Sequence, residues 1–195
     1  MNLKNMKWII LGLGAAVLAA GVAAGIILNP RNRKGPLFDT DAIDGGVVTR
    51  NDGEGSPKVI SSTEITSFDC EFSLIAHADE TRLKHGVYTL QAALNGDTVV
   101  GSISWRNRYD PSGKLEFEAD AAFMAELQRI VSKYDLARRN GCTHRVSGLP
   151  DMYGMKLDIC YASGESIYTY DNQSNRLPIE VMCELEALFM KQSKK

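Results

Sequence analysis

Between Glu64 and Glu118 apolar and polar residues alternate, the period-two signature of half-buried strands. In FDCEFSL, Phe68, Cys70, Phe72 and Leu74 fall on one face and Asp69, Glu71 and Ser73 on the other. The runs VYTLQAAL and TVVGSISWRNRY flank Asn95-Gly96, a hairpin signal. A two-residue turn there pairs Ala92 with Val99, Leu90 with Gly101 and Tyr88 with Ile103, which keeps the apolar partners on one face, with Trp105 continuing it. After the turn DPSG, LEFE points Leu115 and Phe117 inward, and Arg106 and Arg108 are expected to face Glu116 and Glu118 across strands.

The period then changes. Phe123, Leu127, Ile130, Val131 and Tyr134 form a helical stripe capped by Asp120 and stopped by Asn140-Gly141, which predicts a helix over 120–138. MKLDICY alternates again, with Met155, Leu157, Ile159 and Tyr161 on one face. A last helix over 178–191 begins at Pro178 and turns Val181, Met182, Leu185, Leu188 and Phe189 inward.

These elements predict an α+β domain over 64–191, in the order β-β-β-β-α-β-β-α, followed by a short tail, 192–195. About six antiparallel strands would carry two helices on one face. Residues 29–63, rich in Gly, Asp, Asn and Pro and without apolar periodicity, are expected to form a flexible linker. Within it DTDAIDGG resembles a calcium loop, but its third acid is one place late and Arg50 stands where the bidentate Glu belongs.

One segment has no polar face. Trp8 to Leu28 carries no charge, and as a helix it would extend about 31 Å, enough to cross the hydrocarbon core of a bilayer. A single transmembrane helix over 8–28 is therefore expected, after a cytoplasmic N-tail, 1–7. The apolar run continues through Ile26, Ile27 and Leu28, further than a cleaved signal peptide requires. Basic residues flank both ends, Lys4 and Lys7 before, Arg31, Arg33 and Lys34 after, so the count barely decides orientation. A short basic N-tail retained in the cytoplasm places the folded domain outside, as a single-pass cell-membrane protein. Gly21 and Gly25 form a GxxxG pair through which the helix can dimerise. GLGAAV, Gly12 to Val17, lacks the third glycine of a dinucleotide loop.

Composition narrows the partners. The chain has 195 residues, a formal charge of −2, and all 24 acids after the apolar segment. An acidic folded part disfavours nucleic acid and anionic lipid. The four cysteines, at 70, 142, 160 and 183, show no metal-binding spacing, and no cofactor or metal is expected; free thiols are expected rather than bridges.

Chemistry would have to come from the crowded stretch YASGESIYTYDNQSN. Two hairpin turns compete there. A two-residue Ser163-Gly164 turn would make Tyr168 and Tyr170 core residues. A type I turn over Ala162-Ser163, with Gly164 left-handed in a bulge, would pair Ile159 with Ile167 and send both tyrosines to the other face, beside Asp158 and Cys160. The bulge is favoured, because Ser resists positive φ. Ser163, His144 and Asp171 would supply the residue types of a nucleophilic triad, but no GxSxG elbow accompanies them. No catalytic residue is assigned.

The residues Asn140-Gly141, Gly148-Leu149-Pro150, Tyr161-Ala162-Ser163-Gly164-Glu165 and Asp171-Asn172 give the last 55 or so positions a resemblance to uncharacterised membrane- or lipid-anchored surface proteins of Gram-positive, Clostridia-like bacteria. The resemblance implies a surface location and no activity. The expected function is a membrane-tethered, non-enzymatic domain binding a protein or envelope component, with Tyr168, Tyr170, Tyr153 and Glu165 as candidate contacts. The alternatives are a cell-envelope hydrolase and a structural subunit of a membrane complex.

Overall fold

A computed structural model describes residues 39–43, 46–74, 83, 86–106, 111–148 and 154–193. The apolar segment 8–28, with Gly21 and Gly25, and the candidate Tyr153 lie outside the described residues, among which no helix is long and apolar enough to cross a membrane.

The protein is α+β. Among the described residues nine strands form one sheet: β1 (Asp39–Ile43), β2 (Gly46–Asp52), β3 (Ile65–Leu74), β4 (Gly86–Asn95), β5 (Thr98–Arg106), β6 (Gly113–Asp120), β7 (Cys142–Ser147), β8 (Met155–Tyr161) and β9 (Ser166–Asp171). Their spatial order is β1-β2-β7-β9-β8-β3-β4-β5-β6. Every pairing is antiparallel except β7 with β9, which is parallel. Two helices, α1 (Ala122–Lys133) and α2 (Ile179–Gln192), pack over β3, β5 and β6.

The apolar stripes explain the layering. Phe68, Cys70 and Phe72 of β3, Leu90 of β4, Ile103 of β5, and Leu157 and Ile159 of β8 are buried on one face. Phe123, Leu127, Ile130 and Val131 of α1 and Val181, Met182, Leu185 and Phe189 of α2 close over them. Phe189 is the hub, with ring centroids 5.1 Å from Phe123, 5.7 Å from Phe117 and 6.0 Å from Phe68. Beyond the core the helices are joined through Glu184, which accepts a hydrogen bond from the Tyr134 hydroxyl at 2.8 Å and pairs with Lys133. That ammonium and that hydroxyl hold the Glu184 carboxyl below the ordinary glutamate range.

Three strands exceed the expected six. β1 and β2 lie within 29–63, where a linker is expected, and β7 occupies what reads as a loop after α1. None shows a clear apolar face, because the helices cover the far half of the sheet. The β4–β5 turn also moves. Its central residues are Gly96 and Asp97, since Asn95 pairs with Thr98, and Gly96 alone takes positive φ, as the first position of a type II′ turn does. Ala92 thus faces Gly101 and Leu90 faces Ile103, two residues from the expected partners. A shift of two preserves the faces, so the core assignment survives. On β6, Glu116 pairs with Ser102 and Glu118 with Val100, so Arg106 does not face them; Arg108 is outside the described residues.

The first helix is shorter than 120–138. Asp120 Oδ1 does accept a hydrogen bond from the Ala122 amide, but α1 ends at Lys133. Asp135, left-handed at φ 48°, turns the chain into a 3-10 turn, Leu136–Arg139. The second helix matches its expected span.

Candidate functional site

The face of the sheet opposite the helices is open to solvent. Two cross-strand rows run side by side from β9 to β6. One is Tyr168, Asp158, Asp69, Gln91, Ser102 and Glu116. The other is Tyr170, Lys156, Glu71, Thr89, Ser104 and Lys114. Each row begins at a half-buried tyrosine and ends in a charge on the edge strand.

The bulged turn places the tyrosines there. Gly164 adopts φ 82°, its amide hydrogen-bonds the Tyr161 carbonyl at 2.9 Å, and Ile159 pairs with Ile167. Tyr168 and Tyr170 therefore point away from the core, opposite Asp158 and Lys156, while the alternating residues Ile167 and Thr169 are buried. A two-residue turn would have inverted this.

Charges on the rows are interleaved rather than segregated. Lys156 Nζ reaches diagonally to Asp69 Oδ2 at 2.5 Å, and Lys114 Nζ lies 2.6 Å from Glu116 Oε1. The bond to Asp69 raises the Lys156 ammonium above its ordinary range against the opposing pull of desolvation, the largest single influence. The second row ends in an open depression of about 590 Å³, lined by Thr89, Ser104, Trp105, Arg106 and Lys114 among others.

The remaining candidate, Glu165, belongs to the scaffold. Its carboxylate accepts hydrogen bonds from the Ser61 and Ser62 amides, both at 2.9 Å, and from the Ser163 hydroxyl at 2.8 Å. The Ser61 amide, then the Ser163 hydroxyl and the Ser62 amide, hold its pKa below the ordinary value.

His144 and Asp171 do come together, with Nδ1 3.2 Å from Oδ1. The triad does not assemble, however, because Ser163 sits at the opposite end of the β9 hairpin, bonded to Glu165. Asp171, buried, is committed to folding: Oδ1 accepts the Gln173 and Ser174 amides at 2.9 Å each, and Oδ2 pairs with Arg176 at 2.8 Å. None of the four cysteines is joined in a disulfide, and Cys70 is fully buried. Among the described residues, no group of His, Cys, Asp and Glu is arranged to hold a metal ion.

The sequence gives no warning of what Asn140 and Asn172 do. The β7–β9 ladder contains only the pairs Thr143–Tyr170 and His144–Asp171. A carboxamide prolongs it at each end. Asn140 Oδ1 accepts from the Tyr168 amide, and its Nδ2 donates to the Ser166 and Pro57 carbonyls, all at 2.9 Å. Asn172 Oδ1 accepts from the Val146 amide and its Nδ2 donates to the Val146 carbonyl, both at 2.9 Å. Each side chain offers one acceptor and a two-proton donor, as a strand residue's peptide group offers one of each. Nearby, Lys58 Nζ donates to the Asn140 carbonyl at 2.6 Å, and Gly141, at φ 79°, approaches Ser56 too closely to leave room for a Cβ.

The residues that carry the resemblance are thus largely joints of the fold: Asn140-Gly141 and Asp171-Asn172 splice β7 to β9, while Gly164 and Glu165 set the hairpin and tie down Ser61 and Ser62. Compared with protein-family models, with curated proteins and with solved structures, the chain matches none.

Proposed function

We propose that this protein is a membrane-tethered binding domain without enzymatic activity, anchored by a single helix over 8–28, with its folded part outside the cytoplasm. Its binding platform is the open sheet face headed by Tyr168 and Tyr170, and its target is a protein or a component of the cell envelope. The observation that carries the reading is the position of both tyrosines on the uncovered face, held there by the Gly164 bulge. A half-buried tyrosine offers a rigid ring and a polar tip at small entropic cost, which suits recognition. The apolar, uncharged run from Trp8 to Leu28 supports the tether.

The hydrolase alternative loses its best candidate, since Asp171 and Ser163 are engaged at opposite ends of one hairpin. In vivo photo-crosslinking from position 102, within the platform, followed by purification of the tagged full-length protein from native membranes, tests the platform. The Tyr168→Ala/Tyr170→Ala variant should lose its crosslinked partners. An unchanged crosslinking pattern in the folded variant would remove the face from consideration. Release of the wild-type chain from vesicles by alkaline carbonate would remove the tether.

A further inference from the structure

We infer that the open face binds an extended, largely uncharged glycan chain, laid across the strands from the tyrosines towards the depression lined by Thr89, Ser104 and Lys114. This rests on the platform reading above and names its ligand class.

The chemistry of the two rows selects this occupant. Gln91, Ser102, Thr89 and Ser104 occupy their middle, with donor and acceptor groups able to meet hydroxyls of either sense. Carboxylates at Asp69, Glu71, Asp158 and Glu116 only accept, and a sugar hydroxyl always has a proton to give. Tyrosine rings at one end suit the apolar C–H faces of pyranose rings.

Geometry agrees. Adjacent strands lie about 4.8 Å apart, close to the length of one sugar in an extended β-linked chain. A glycan crossing from β9 to β6 therefore meets a fresh side chain at each sugar over about 24 Å.

Competing occupants fit less well. A protein interface is anchored by large buried apolar side chains. The large exposed hydrophobic residues among those described are Val47, Val59, Leu94 and Val100, none of them in either row. A polyanion would meet four carboxylates. A basic peptide would meet Lys156 and Lys114, each already beside an acid.

The test is titration calorimetry of the full-length chain in detergent with chitohexaose and cellohexaose, their dimers, and polylysine. At least one hexaose should bind, more tightly than its dimer and with little response to salt, since screening weakens only charge-driven contacts. Tyr170→Ala should weaken binding about tenfold, and Tyr170→Phe by less than about threefold, because the ring remains. Thr89→Arg, an insertion into the middle of the second row, should block binding while the circular dichroism spectrum is retained. Failure of both hexaoses to bind, binding that ignores Tyr170→Ala and Thr89→Arg, or preferential binding of polylysine would overturn the glycan assignment. The two readings separate cleanly. If neither hexaose binds but the double tyrosine variant still loses its crosslinked partners, the platform stands with a different ligand. If the crosslinks also persist, the platform falls with it.

Discussion

Asn140 and Asn172 bracket the one parallel pairing among the described strands, one carboxamide prolonging each end of the β7–β9 ladder. Both side chains are buried, at 6% and 5% exposure, so their five bonds at this joint have no ready replacement from water. Alanine at Asn172 leaves buried peptide groups unpaired, at a cost of about 1–3 kcal/mol per group, and alanine at Asn140 leaves part-buried ones, at a smaller cost. Asn140→Ala and Asn172→Ala should each lower the denaturant midpoint. They should also accelerate amide exchange in β1, β2 and β7 before β3–β6. Uniform acceleration across the sheet would mean that the carboxamides do not act at this joint. Asn140→Asp should fail as Asn140→Ala does, since a carboxylate cannot donate to Ser166 and Pro57.

Glu165 gives the fold a dependence on acid. Its carboxyl titrates below its ordinary value when folded, so the folded chain releases this proton more readily than the unfolded one. The resulting stabilisation is complete above the unfolded value and is lost as pH falls through the folded one. Thermal melts of the wild type should therefore lose ground from about pH 5 downward, and Glu165→Gln should flatten part of that decline. An identical pH profile for the variant would show that the carboxylate's contacts with Ser61 and Ser62 do not persist in solution.

Tyr161 carries the opposite dependence. Its hydroxyl is buried without a hydrogen-bond partner among the described residues, and burial pushes its pKa up to about 12. Deprotonation is disfavoured in the folded state, so stability is intact below pH 10 and falls as pH rises from 10 towards 12. Tyr161→Phe deletes a hydroxyl that satisfies nothing, so the variant should equal or exceed the wild type at neutral pH and lose less at alkaline pH. Destabilisation by more than about 1 kcal/mol would place a partner on that oxygen.

Phe189 touches three other rings and joins α2 to both β3 and β6. Phe189→Ala should cost about 3–5 kcal/mol, measured by urea unfolding, while Phe189→Leu should cost substantially less. A small effect from the alanine would mean that α2 re-docks over the cavity.

How much of this was legible follows from where burial acts. β3 to β6, β8, β9 and both helices were visible because one face of each must be apolar against the others. Parity even survived the misplaced Asn95-Gly96 turn. Resistance of Ser163 to positive φ was enough to choose the bulge, and with it the side on which Tyr168 and Tyr170 stand. β1, β2 and β7 were not visible. GVVTRND and CTHRVS lie beyond the helices, bury little, and so leave no periodic trace. Their attachment depends on Asn140, which reads locally as a helix stop, and on Asn172, which reads as a turn residue. A side chain imitating a peptide group leaves no mark on hydrophobic patterning.

The topology also sets an order of events. β2 docks on β7, and β7 joins the rest of the sheet only through β9. The segment synthesised early among the strands must therefore wait for β7, residues 142–147, for its partner, and for β9 before it is joined to the rest of the sheet. The β1–β2 hairpin is expected to close last during biogenesis and to be the earliest strand pair lost under stress. Until then it carries unpaired backbone edges, and Arg50 and Asp52, paired at 2.8 Å, are the charges placed to keep that edge from foreign strands.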